Sequence, residues 1–201
     1  WMEKAGFDAV EPNGNIIGQE KELLAALRNT KLKVSALCWG SVKGAMVSRD
    51  AAARADAVVQ FKRAIDTAAE LQSTGVIHVP AFSAETDRTN QEIREIVVDT
   101  LPAIGEYAVK AGTRVLLEPL NRKEAFFLRQ VADGAAICRD CNSPGICLMA
   151  DFYHMGVEET SCLGAILSGG AYLHHVHLAS KTRVLPGQDA EEDEPRYLDG
   201  F

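Results

Sequence analysis

Glu118, Asp151 and His177 are good metal-ligating side chains, and each stands at or near the end of a short apolar run. Val115-Leu116-Leu117 leads into Glu118, Ile146 to Ala150 leads into Asp151, and His174-His175-Val176-His177-Leu178 contains the third. Their separations, 33 and 26 residues, are those of consecutive strand–helix units. A carboxylate at the mouth of a buried strand must be paired, metal-bound or catalytic, because an isolated charge in low dielectric is costly. Pro119 stops the strand at that point, since it has no N–H to give a ladder. Two carboxylates and one imidazole suit a single divalent ion of intermediate hardness, Mn²⁺ first, then Mg²⁺ or Co²⁺. Zn²⁺ more often gathers extra His or Cys.

A second layer follows each of these residues: Glu124 six after Glu118, His154 three after Asp151, and Arg183 six after His177. All three fall on loops just past strands, where groups that orient a substrate are expected. An acid, an imidazole and a guanidinium around a metal suit a polyhydroxylated ligand. Blander roles compete. Glu118 has Arg122 and Arg183 as structural partners within reach of its loops, and Asp151 stands where it would cap the next helix. His78, inside an apolar strand, reads as a satisfied core histidine, and His174 as a surface residue. Alternation puts His175 and His177 on one face. Glu11 ends a strand as Glu118 does and is expected to line the pocket at most. Trp39 and Phe82, on loops after strands, are either an apolar wall or core.

The elements that must position these groups alternate along the whole chain. Strands are expected at Ala9-Val10, Lys33 to Cys38, Val76 to Val79, Val115 to Leu117, Ile146 to Ala150 and His174 to Ala179. Between them, helical spacing of apolar residues predicts helices over Gln19 to Asn29, Ser48 to Thr74 with Ser48 as cap, and Asn90 to Ala111. Further helices are predicted over Arg129 to Cys141 and Glu158 to Leu167. Pro102 is expected to kink or split its helix. Gly169-Gly170 is a turn and not a phosphate loop, because no glycine-rich phosphate motif surrounds it. Strands that are apolar throughout imply an α/β fold with a parallel sheet covered by helices. Periodicity alone leaves both an open doubly wound sheet and a closed barrel.

Composition excludes several classes. With 201 residues, 47% of them hydrophobic and 24% charged, the chain is ordinary for one globular domain. A net charge of -7, from 21 basic and 28 acidic residues, with no basic run, argues against nucleic acid. The acidic cluster Asp189 to Glu194 reads as a solvated loop. No apolar stretch reaches the length of a membrane span and no signal-peptide pattern opens the chain. Five scattered cysteines suggest a reducing cytoplasm, and the Cys138-x-x-Cys141 pair, with no second pair to complete a zinc site, reads as structural.

Glu118-Pro-Leu-Asn-Arg with Glu124, then Asp151-Phe-Tyr-His154, then His175-Val-His177 with Arg183 and Pro186-Gly187, resembles the xylose isomerase-like TIM barrel superfamily. Within it, the motifs are similar to the sugar phosphate isomerase/epimerase group, which includes ketose 3-epimerases and hydroxypyruvate isomerases. The resemblance runs from Phe7 to Phe201 and implies a single (β/α)8 barrel domain over residues 1–201. It implies that Glu118, Asp151 and His177 bind one divalent metal and that Glu124, His154 and Arg183 hold the substrate. It also implies proton transfer beside a carbonyl through a metal-stabilised enediolate, with Glu118 as ligand and catalytic acid or base. The substrate is then a small sugar or hydroxy-carbonyl compound, and a homodimer or homotetramer is expected by analogy. The family's fourth ligand, a Glu on the last strand, is expected beyond Phe201, and the first strand before Trp1. Rival readings on this fold are a keto-inositol-type dehydratase and a sugar-binding barrel without a fourth ligand. The DNA-repair endonuclease branch fits poorly, since it wants more His ligands and a basic face.

Overall fold

In the computed structural model, residues 1–185 and Gln188 are described; Pro186-Gly187, the acidic cluster Asp189 to Glu194 and Asp199 to Phe201 lie outside the described residues. Seven strands occur among the described residues: β1 (Ala9–Val10), β2 (Lys33–Val34), β3 (Leu37–Gly40), β4 (Val76–His78), β5 (Val115–Leu117), β6 (Ile146–Asp151) and β7 (Leu173–His177). The helices between them are α1 (Glu20–Leu27), α2 (Ala51–Glu70), α3 (Asn90–Ala111), α4 (Val131–Cys141), α5 (Phe152–Glu158) and α6 (Cys162–Gly169).

All pairings are parallel, and the main sheet runs β3-β4-β5-β6-β7 in sequence order, with β1 and β2 paired beside it. The order never reverses, so the sheet has no switch point of the doubly wound kind. It also curls. Five inter-strand steps separate β1 from β7, roughly 24 Å in a flat sheet, yet Glu11 just after β1 hydrogen-bonds His175 and His177 on β7 at 2.8 and 2.9 Å. That closure belongs to a barrel.

Alternation along the strands sorts side chains into two cores. Leu37, Val76, Val115, Leu117, Ile146 and Leu148 pack outward against the helices, with Phe61, Ile65, Ile93, Leu101 and Ile104. Ala36, Ile77, Leu116, Cys147 and Met149 form a separate inner cluster. Glu118 continues the parity of Leu116, and Asp151 that of Cys147 and Met149, so both carboxylates fall on the inner side. His78 has the opposite parity. It is buried against Trp39 and Phe61, its Nδ1 lies 2.8 Å from the Gly40 carbonyl, and burial pushes its pKa down to about 4.

Four expectations are corrected. The strand Lys33 to Cys38 is two strands, because Ser35 and Ala36 pass the chain from pairing with β1 to pairing with β4. Asp50, not Ser48, caps α2, accepting from the Ala52 N–H at 2.8 Å. Of the two outcomes expected at Pro102, a split does not occur: α3 is continuous over 22 residues. The Thr89/Glu92 capping box, a left-handed Gly112 at the far end and a buried apolar face outweigh the one missing N–H. The helix expected over Glu158 to Leu167 is α6, which starts only at Cys162, where Ser161 caps it through the Gly164 N–H, and α5, directly after Asp151, is a further helix that was not expected.

α3 and the turn before β6 approach glycine to glycine. A Cβ on Gly145 would lie 2.0 Å from the Gly105 carbonyl oxygen. Gly145→Ala is therefore expected to cost about 1–3 kcal/mol by overpacking, read as a lower urea midpoint. An unchanged midpoint would mean that α3 moves aside freely.

Candidate metal centre

The register of the ladder places the three strand-end groups together. β6 and β7 pair Asp151 directly with His177, and Glu118 follows β5 on the neighbouring strand. One ligand atom from each of Glu118, Asp151 and His177 lies within 4.8 Å of the others. A second such group, Glu11, His175 and His177, shares the imidazole.

Asp151 does two things. Its Oδ1 accepts from the Tyr153 N–H at 2.8 Å and so caps α5, while Oδ2 lies 3.7 Å from His177 Nδ1 and 3.9 Å from His154 Nε2. The capping role and a place in the cluster are thus compatible, one oxygen for each. Among the described residues no arginine forms an ion pair with Glu118, and Arg183 acts on it only as a weak lowering charge. Arg122 turns away to the buried carboxylate of Glu158, which its backbone N–H, Nε and Nη2 contact at 2.6, 2.8 and 3.1 Å. Burial drives the Glu118 carboxyl upward, the charges of Asp151 and Glu11 add to this, His177 opposes it, and the result is about 7. His177 goes the other way. Burial alone would lower it, but attraction to Asp151 and the hydrogen bond to Glu11 raise it to about 10.

His154 is buried, and its tautomer follows from its neighbours. The Asn121 backbone N–H donates to His154 Nδ1 at 3.1 Å, so Nδ1 is an acceptor and the proton of the neutral ring sits on Nε2. Nε2 is 3.9 Å from Glu118 Oε1, and burial holds the ring's pKa down. Glu124 Oε1 accepts from Asn121 Nδ2 at 3.1 Å and from Arg183 Nη1 at 3.5 Å. Arg183 is exposed, has left-handed backbone geometry at φ 64, and lies 4.4 Å over the Tyr153 ring. Glu124 and Arg183, on the loops after β5 and β7, and His154, in the first turn of α5 and not on a loop as expected, therefore rim one side of the cluster.

Two residues carry more than their sequence positions suggest. Asn121 is fully buried and ties His154 to Glu124. Glu11 is held at about 2: burial would raise it, but hydrogen bonds from His175 and His177 together outweigh burial. Its strand-end position, the same as that of Glu118, was the available signal. By contrast, Trp39 stacks on Phe61 with ring centroids 4.3 Å apart and Phe82 packs beside Val79, Leu120 and Ala125, so both belong to packing. His174 is exposed beside Arg114. Cys138 and Cys141 are buried on α4, with thiols pushed by burial to about 12 and about 11, which makes them inert core residues.

The donor set fits a divalent cation. Two carboxylates at the barrel mouth, one of them driven toward protonation by burial, offer the hard oxygens such an ion takes, and His177 adds one nitrogen.

The profile of the xylose isomerase-like TIM barrel family matches residues 1–197. The chain is 28% identical over 196 residues to 3-dehydro-D-guloside 4-epimerase of Escherichia coli (strain K12), covering 93% of this chain and 74% of that protein. It is 30% identical over 196 residues to D-psicose 3-epimerase of Agrobacterium fabrum, covering 92% of this chain and 67% of that one. A crystal structure of D-psicose 3-epimerase in the presence of D-fructose superimposes with a TM-score of 0.84 at 26% identity, over 92% of this chain and 67% of that one. The sequential parallel sheet, its closure from Glu11 to β7 and a match across nearly the whole sequence agree: the chain belongs to the xylose isomerase-like TIM barrel family.

Proposed function

We propose that this chain is a divalent-metal-dependent sugar epimerase or isomerase, acting as one barrel domain on the carbon beside a sugar carbonyl. The observation that carries the reading is the convergence of Glu118, Asp151 and His177 within 4.8 Å at the ends of three adjacent strands. Relatives named as sugar epimerases support it.

Glu118, Asp151 and His177 would hold the cation, with Mn²⁺ preferred. Bound there, such an ion supplies positive charge to the substrate's carbonyl and neighbouring hydroxyl oxygens as negative charge develops on them. Glu118, at the strand end among the ligands, is placed to take a proton from carbon and give it up again. Loss of that proton leaves an enediolate: a proton delivered by Glu118 to the adjacent carbon would give an isomer, whereas a proton delivered to the same carbon from the opposite face by a second acid, the role expected of the family's last-strand Glu, would give an epimer. His154 directs its Nε2–H into the site as a fixed donor. Glu124 and Arg183 accept from and donate to sugar hydroxyls at the rim, and the Tyr153 ring keeps the guanidinium above the mouth.

The test is incubation with D-psicose, D-fructose and 3-keto sugars in D₂O. The expected product is an isomer carrying one deuterium at the inverted or newly formed C–H centre. Activity should vanish with EDTA and return with Mn²⁺. Loss of water from the substrate, or no turnover of any ketose with Mn²⁺ present, would remove the proposal.

A further inference from the structure

Glu11 and His177 are 166 residues apart in sequence, yet both carboxylate oxygens of Glu11 lie within hydrogen-bond distance of His177 Nε2, at 2.9 and 3.0 Å. Glu11 Oε2 also lies 2.8 Å from His175 Nε2. An ionised carboxylate can only accept, so each of these ring nitrogens must donate. Such a pairing fixes the proton of His177 on Nε2. Nδ1 then faces Asp151 Oδ2, 3.7 Å away, and is the nitrogen that a cation would take in exchange for a proton. A ring turned over would point the wrong nitrogen at the carboxylates. A second cation at Glu11, His175 and His177 is the competing use of the same atoms, but there each inward nitrogen already has a short hydrogen bond to Glu11.

We infer that Glu11 is a positioning residue for the metal centre: anchored by His175, its carboxylate holds the Nε2–H of His177 and thereby presents Nδ1 to the cation beside Asp151 and Glu118. A carboxylate behind a ligating imidazole fixes its orientation and raises its basicity. This inference rests on the reading of Glu118, Asp151 and His177 as ligands. Glu11 itself touches neither cation nor substrate.

Mn²⁺ titration followed by the electron paramagnetic resonance signal of the free ion tests it directly. Glu11→Ala should bind Mn²⁺ about 10- to 100-fold more weakly than the unaltered protein. Glu11→Gln, which keeps an acceptor oxygen for Nε2–H, should recover most of that loss. Equal affinity in Glu11→Ala and the unaltered protein overturns this inference alone. No Mn²⁺ binding by the unaltered protein overturns the ligand reading, and this inference with it. A second measurement needs no variant and so is independent of whether Glu11→Ala folds. In the ¹⁵N-histidine-labelled protein loaded with Zn²⁺, His177 should show a coordinated Nδ1 and a protonated Nε2. Coordination through Nε2 would overturn the inference.

Discussion

Glu118→Gln is expected to lower sugar turnover by about 10²- to 10⁴-fold and, at the same time, to make the metal-free protein more stable at pH 8. The loss of turnover comes from removing the group that carries the proton, and the gain in stability from a buried carboxyl that is raised from 4.5 to about 7 in the metal-free protein. The folded state binds this proton more tightly than the unfolded chain, so stability falls as pH rises from about 4.5 through 7. Ionisation in place costs at most about 3 kcal/mol by pH 8. Gln removes that charge with little change of shape. Urea midpoints of both forms at pH 5 and pH 8, without metal, separate the cases. The variant should gain only at pH 8, because at pH 5 Glu118 is already largely neutral. Full turnover in the variant would take Glu118 out of the chemistry, and an equal shift at both pH values would show that its charge is not the cause.

Metal and pH should also act against each other on the unaltered protein. Glu118 at about 7 and His177 at about 10 both lie above their ordinary values, so without metal each contributes a loss of stability as pH rises through its window. Glu11, held at about 2, does the reverse, and its contribution is lost as pH falls below about 4.5. The metal-free protein is thus expected to be most stable near about pH 5 to 6. A divalent ion binds the ionised carboxylates and an imidazole nitrogen freed of its proton, so its stabilising effect grows with pH. At a concentration one hundredfold above Kd the gain is about 2.7 kcal/mol, or about 5–10 °C in melting temperature for a chain of this size. Thermal melts at pH 5.5 and 8, with EDTA or with Mn²⁺, check this. A shift as large at pH 5.5 as at pH 8, or no shift at either, would speak against a site built from these groups.

Most of the architecture was legible because parallel barrels advertise themselves locally. Apolar runs such as Val115 to Leu117 are buried on both faces, and the helices between them carry a period that no strand could use. What sequence could not give was the hand-over at Ser35-Ala36 or the break at Glu159 to Ser161. Both are set by tertiary partners: the one by β4 taking over from β1, the other by Glu159 Oε1 accepting the Val131 N–H at the start of α4. Pro102 does not split its helix because a single missing hydrogen bond is weak against two well-capped ends. In the site, Glu118, Asp151 and His177 were visible as strand-end residues at unit spacing, and register brings them together. Asn121 was hidden because a buried amide linking two loops has no periodicity. Glu11 was discounted because its partners lie at the other end of the chain.

The Glu11–His177 contact has a consequence for how the molecule assembles. Closing a free loop of 166 residues costs roughly 4–5 kcal/mol of chain entropy, more than hydrogen bonds at a partly exposed carboxylate return. Each ladder from β3 to β7 instead joins strands one unit apart, so the span is crossed in short steps. The bond forms only once those ladders have carried β1 and β7 round to each other. The orientation of one imidazole therefore reports on every intervening strand pairing, and loosening any of them disturbs His177 without touching it.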